Sequence, residues 1–78
     1  MFDHYSAAKK IAESLNQEGY ESVAIQITDD LEGFSGTEIF MALRFHLDKF
    51  LVSKADCSAN LKESISELLA ELARGLAS

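Results

Sequence analysis

The fold of this chain is decided by the stretch EIFMALRFHLDKFLVS, residues 38–53. Its large apolar side chains recur at spacings of three and four residues, which is the period of a helix that buries one face. The members of this face are Ile39, Phe40, Leu43, Leu47, Phe50 and Leu51. Met41 and Phe45 widen the face, and such breadth is typical of a central, largely buried helix. The pattern therefore predicts a helix from Glu38 to about Ser53, in which Arg44 and Asp48 stand four residues apart and can pair.

The segments at the two ends of the chain show the same period. In residues 3–17 the apolar positions are Tyr5, Ala8, Ile11, Ala12 and Leu15, and in residues 60–76 they are Leu61, Ile65, Leu68, Leu69, Leu72 and Leu76. A side-chain oxygen near the start of each segment can cap a helix: Asp3 or Ser6 for the first, Ser58 or Asn60 for the last. Gly19 is free to take the left-handed conformation that ends a helix. The joint before the last helix is predicted over Lys54–Ala59.

The segment Glu21–Leu31 is ambiguous between a helix and a strand. Val23, Ile25 and Ile27 alternate as in a strand, and their β-branched side chains favour one. The spacing of Val23, Ala24, Ile27 and Leu31 also fits a helix face, and a single strand would have no partner in this chain. We therefore predict a helix here, with a strand over Glu21–Thr28 as the alternative. The expected fold is all-α, a compact bundle of about four short helices in a single domain over residues 1–78.

The composition limits the classes of partner. The chain has 78 residues, with 13 acidic and 7 basic side chains, a net charge of -6 and no proline. Nucleic acid is an unfavourable partner because binding it needs a basic footprint. A basic protein fits better, although acidity can also serve solubility alone. No stretch approaches the roughly 20 apolar residues that span a bilayer, and Met1-Phe2-Asp3 does not open a signal segment, so we expect a cytoplasmic protein without membrane contact.

Side chains suited to catalysis or to metal binding are few. His4 and His46 are the only histidines, and neither stands at a metal-ligand spacing. We expect His46 to be partly buried and hydrogen-bonded. Cys57 is the only cysteine, and no base accompanies it at a recognisable spacing. The acids before Gly33 do not follow the spacing of a calcium loop. The sequence therefore predicts a protein that is not an enzyme, with no catalytic residue, metal or cofactor.

The clearest loop, Glu32–Thr37, lies beside a cluster of acids that forms the candidate binding site. Ser35 and Glu38 stand three residues apart, as in a capping box, and Thr37 is an alternative cap. The residues that we predict to bind a protein partner are Asp29, Asp30, Glu32, Phe34 and Glu38. An exposed aromatic ring would anchor the partner, and the carboxylates would steer a basic one. Alternatively, Phe34 packs back over the following helix and the acids are merely solvated.

The stretch SGTEIFMALRFHL, from Ser35 to Leu47, resembles a stretch in small proteins encoded beside bacterial polymorphic, contact-dependent toxins. In those proteins an acidic-glycine turn is followed by a Ser/Thr-Gly-Thr-Glu cap and an apolar helix with an Arg-aromatic pair. They are regarded as immunity proteins, which bind and silence the cognate toxin domain in the producing cell. The resemblance implies that this chain acts by binding alone, with its acidic surface over a basic, nuclease-like toxin cleft. Arg44 would then support the loop by pairing with an acid.

Two other functions compete with this interpretation. A self-associating regulatory or structural module would form a homodimer through exposed leucines of the C-terminal helix, above all Leu68, Leu72 and Leu76. An acyl-carrier-like protein is less favoured, because its phosphopantetheine serine normally stands in Asp-Ser-Leu and this chain has no such tripeptide.

Overall fold

The computed structural model describes residues 3–53 and 57–77, and every regular element in these ranges is an α-helix. The helices are α1 (His4–Gln17), α2 (Glu21–Gly33), α3 (Thr37–Ser53) and α4 (Ala59–Ala77). The predicted all-α fold is confirmed, and the ambiguous segment Glu21–Thr28 lies inside α2 rather than in a strand. Met1, Phe2, Ser78 and the first half of the predicted joint, residues 54–56, lie outside the described residues.

Both ends of α1 follow from local sequence chemistry. Asp3 caps the start, where one carboxylate oxygen accepts from the Ser6 backbone N–H at 3.1 Å and the other from the Ser6 hydroxyl at 2.8 Å. At the other end Gly19 has a φ of 93°, the left-handed region in which glycine has no steric penalty. The Tyr20 N–H then reaches back to the Leu15 carbonyl at 2.8 Å, the backbone bond that typically closes a helix on such a glycine. The chain can therefore turn sharply into α2.

Helix α2 buries one side and exposes the other. Ala24, Ile27 and Leu31 face the core, whereas Ile25 points into solvent. A strand would have placed Ile25 on the same side as Ile27, since side chains two residues apart share a face. The segment forms a helix because a helix buries more of its apolar side chains and pairs its backbone N–H and C=O groups within the segment.

The four helices close into a ring around one core. Helix α1 packs against α2 and α4, and α3 likewise packs against α2 and α4. The largest fully buried side chains come from all four helices: Leu15, Ile27, Leu43, Leu47, Ile65, Leu68 and Leu72. Each such burial contributes on the order of 1.5–3 kcal/mol of hydrophobic stabilisation. The ring leaves the outer face of every helix available to solvent.

The carboxylate of Glu18 links the end of α1 to the start of α4. Glu18 follows α1, and its two oxygens accept from the backbone N–H of Ser58 at 3.0 Å and from the Ser58 hydroxyl at 2.6 Å. The same hydroxyl oxygen accepts from the Leu61 N–H at 3.2 Å and so caps α4. Both bonds from Ser58 hold the pKa of Glu18 below its usual value, and the bond from the hydroxyl has the larger effect. Of the two predicted caps for α4, Ser58 is the one that forms this bond.

Three sequence predictions about apolar faces are wrong. The first is the position of Tyr5 on the buried face of α1, since its side chain is 47% exposed. Helix α3 is not buried over most of its circumference, since Met41 and Phe45 are 61% and 62% exposed. In α4, the leucines predicted to be exposed on a dimer face are not exposed: Leu68 and Leu72 are buried in the core, and Leu76 is half-buried. Counting apolar residues overestimated the buried part of α3. The apolar residues of α4 pack into the core that the four helices enclose.

Candidate functional site

The predicted site residue Asp30 does not lie on the surface. It is 4% exposed, and its Oδ2 lies 2.5 Å from Nδ1 of the half-buried His46. Because a carboxylate can only accept, the imidazole donates from Nδ1 in this bond. Asp30 therefore joins α2 to α3 inside the protein, which corrects its predicted role as a partner-binding side chain. The expectation that His46 is partly buried and hydrogen-bonded is confirmed.

The predicted acids Asp29 and Glu32 both line an open groove between α1 and α2. The groove has a volume of about 430 Å³. Its buried lining residues, Ala12, Ala24 and Leu31, form an apolar floor. Small alanine side chains on the two facing helices leave this space unfilled. Two other concave sites, one beside Ala7 and one beside Phe45, have smaller volumes of about 150 and 370 Å³.

The rim of the groove carries exposed apolar side chains among carboxylates. Tyr5 and Ile25 are large and exposed, one on each helix. The carboxylates in the lining are Glu13, Glu21, Asp29 and Glu32, against a single ammonium group from Lys9. The Nζ atom of Lys9 lies 5.4 Å from the centre of the Tyr5 ring, over its face. The groove is therefore strongly acidic, with two apolar side chains that a partner could cover.

Phe34 and Glu38 are exposed, and neither is among the residues that line the groove. Phe34 follows α2 and is 46% exposed, so the exposed arrangement is the one observed for its ring. At the start of α3 the Glu38 backbone N–H donates a hydrogen bond to the Ser35 carbonyl at 3.2 Å. The five predicted residues are thus divided: two line the groove, two lie at the turn into α3, and one is buried.

A second exposed surface was missed by the sequence reasoning and lies along the outside of α3. Met41, Phe45 and Val52 are exposed, Val52 to 86%. On a helix of 3.6 residues per turn these three fall within about 40° of one another, and opposite the buried Leu43 and Leu47. We call Met41, Phe45 and Val52 the α3 stripe. The helical period could have revealed it, because these residues lie half a turn from the core-facing set.

The other chemistry-bearing side chains offer no reactive arrangement within residues 3–53 and 57–77. Cys57 is a buried free thiol. In these ranges no group of three or more His, Cys, Asp or Glu side chains is placed to hold a metal ion. Nor is any helix of this part of the chain long and apolar enough to cross a membrane. The features that stand out are surfaces: the acidic groove and the α3 stripe.

No known protein family matches this chain, and neither does any characterised protein or solved structure. The likeness of Ser35–Leu47 to toxin-associated immunity proteins therefore stays a prediction from sequence. Most of that stretch lies in α3, which contributes both to the core and to the α3 stripe.

Proposed function

We propose that this protein binds a basic protein domain through the groove between α1 and α2 and neutralises it by occupation, as an immunity protein neutralises a toxin. The observation that carries the proposal is the composition of the groove: an apolar floor, two exposed apolar side chains, and four carboxylates against one ammonium group. Such a surface offers a partner both apolar area to bury and a field that attracts positive charge.

Charge gives this surface its specificity and its speed of association. The net charge of the chain is -6, so the whole molecule attracts a basic partner before contact. The carboxylates of the rim then orient the partner, because like charges in a wrong pose are unfavourable. The exposed Tyr5 and Ile25 supply the kind of apolar anchors that carry most of the energy of an interface.

The mechanism needs no chemical step by this chain. A nuclease presents a basic cleft to its substrate, and an acidic protein seated in that cleft excludes the substrate by occupying its place. The resemblance of Ser35–Leu47 to immunity proteins points to such a partner, encoded beside this chain and silenced in the cytoplasm of the producing cell. An acyl-carrier role has no comparable support, because the chain lacks Asp-Ser-Leu.

The test uses the C-terminal domain encoded by the large neighbouring open reading frame, titrated with this protein by calorimetry. We expect tight binding by the natural chain, and a loss of at least about 100-fold, or 2.7 kcal/mol, in the Asp29→Lys/Glu32→Lys variant. The matched control is Glu63→Lys/Glu67→Lys, which makes the same change in net charge on exposed positions of α4.

The two variants separate the groove from general acidity. Equal weakening in both would mean that only net charge matters, and an unchanged affinity of the groove variant would remove the groove from the proposal. Absence of binding by the natural chain would refute the immunity role itself.

A further inference from the structure

We propose that the α3 stripe is a self-association face, through which two copies of this chain pack their α3 helices antiparallel about a two-fold axis. The inference does not rest on the proposed function, because the groove residues belong to α1 and α2 and none belongs to α3.

The first support is the apolar content of a face that the chain itself leaves uncovered. Met41, Phe45 and Val52 follow one another along α3 at spacings of four and seven residues, the repeat by which one helix packs along another. A concave site lined by Phe45, Asp48, Lys49, Val52 and Ser53 lies on the same surface. A neighbouring helix would bury these side chains from water.

The second support is charge, which selects a second copy over a basic partner. The charged residues that flank the stripe on α3 are Glu38, Arg44, Asp48 and Lys49, two acidic and two basic. This surface is therefore neutral on a chain whose net charge is -6. A basic domain finds more favourable charge at the groove, whereas another copy of the chain meets no net repulsion at the stripe.

The third support is the pattern of the flanking charges. Arg44 and Asp48 are four residues apart, but neither belongs to the ion pairs formed among the described residues, which are His46–Asp30 and Arg74–Glu71. Both flank the stripe on the same side, since they lie about 40° apart on the helical wheel. When two antiparallel α3 helices cross at the height of His46, Arg44 of one copy lies opposite Asp48 of the other. The two-fold symmetry then forms the same pair a second time.

The same register also matches the apolar side chains. Met41 of one copy lies beside Val52 of the other, and the two Phe45 rings meet near the two-fold axis. Aromatic rings that pack at the centre of an interface commonly contribute more than their neighbours. One register therefore satisfies the apolar and the charged residues together.

The test is sedimentation equilibrium of the full chain, loaded at about 1 to 200 µM, which brackets micromolar dissociation constants. The natural chain is expected to reach twice the mass of the 8.6 kDa monomer. Phe45→Asp should weaken the dimer at least tenfold. Ile25→Asp, an equally exposed apolar position on α2, is the matched control and should leave dimerisation unchanged.

A charge exchange tests the register. Arg44→Asp alone and Asp48→Arg alone should each weaken the dimer, because each places like charges opposite one another. The double variant Arg44→Asp/Asp48→Arg restores both pairs and should recover the natural affinity. Circular dichroism checks that each variant is folded, and if Phe45→Asp unfolds, the exchange decides alone.

Three outcomes would overturn the proposal. The first is a natural chain that stays monomeric over the whole concentration range. The second is a dimer that survives Phe45→Asp in a folded variant, which would locate the contact elsewhere. The third is a double exchange that remains as weak as the single variants.

Discussion

Replacement of His46 by leucine tests the buried link between α2 and α3. The natural chain has no buried side-chain nitrogen or oxygen without a partner in the part that the structure describes. His46→Leu creates one, because the Asp30 carboxylate is 4% exposed and loses the donor that lies 2.5 Å away. A hydrogen bond to a charged group contributes about 1.5–3 kcal/mol. Removing one partner of a fully buried pair costs about 3–5 kcal/mol, and the partial exposure of His46 lowers that figure.

We therefore expect His46→Leu to lower the free energy of unfolding by about 2–3 kcal/mol. A chain of this length has a total stability of about 4–12 kcal/mol, so the loss is a large fraction. The midpoint of thermal unfolding, followed by circular dichroism at 222 nm, should fall by about 10–20 °C. The matched control is Asp29→Leu, which removes the neighbouring exposed carboxylate and should change stability by less than about 0.5 kcal/mol.

The double variant Asp30→Leu/His46→Leu identifies the cause of the loss. When both polar groups are replaced by apolar ones, no buried charge is left unpaired, and the cost should be smaller than for His46→Leu alone. A free energy of unfolding for His46→Leu within about 0.5 kcal/mol of the natural chain would show that the buried Asp30 carboxylate does not need its donor. A double variant no more stable than the single one would attribute the loss to packing around the imidazole instead.

Two further changes probe the ring of helices. The pKa of Glu18 is lowered in the folded state, so its bonds to Ser58 stabilise the protein above the unfolded value of about 4.5 and are lost as pH falls through the lower folded value. Glu18→Gln should therefore be less stable at pH 7, and the difference should shrink towards pH 3; a constant difference in urea titrations would contradict this. Gly75→Ala would place a Cβ 2.6 Å from the Phe40 ring, so it should lower the thermal midpoint despite the better helix propensity of alanine. Gly33→Ala, which meets nothing within 4 Å, is the control, and equal effects would refute the steric account.

The fold followed from the sequence because helical periodicity is a local signal. The periods of α1 and α4 identified most of their core-facing residues, with Tyr5 of α1 as an exception. The cap at Asp3 and the turn at Gly19 were predicted from residue type. The error on α3 came from treating Met41 and Phe45 as extensions of the buried face. Their positions on the helical wheel lie opposite Leu43, so angular position along the helix was the better guide.

The candidate site was only partly predictable because it depends on how helices meet. Asp30 stands three residues after the buried Ile27, so the helical period of α2 alone predicts that its side chain faces the core. Its pairing with His46, 16 residues further on, depends on how α2 and α3 pack against each other and could not be inferred from one sequence. The groove that joins Asp29 and Glu32 to Tyr5 likewise exists only once α1 lies against α2.

The ring order of the helices also bears on how fast the chain folds. The contacts of α1 with α2, α2 with α3 and α3 with α4 join neighbours in sequence, whereas the contact of α1 with α4 joins distant segments. Local contacts require little loop-closure entropy, so most of the fold can form rapidly. The contact between α1 and α4, where Glu18 binds Ser58 across 40 residues, must close a long loop. Loop-closure entropy therefore makes this contact the costliest of the four to form, and we expect it to reach its native state last when the chain folds.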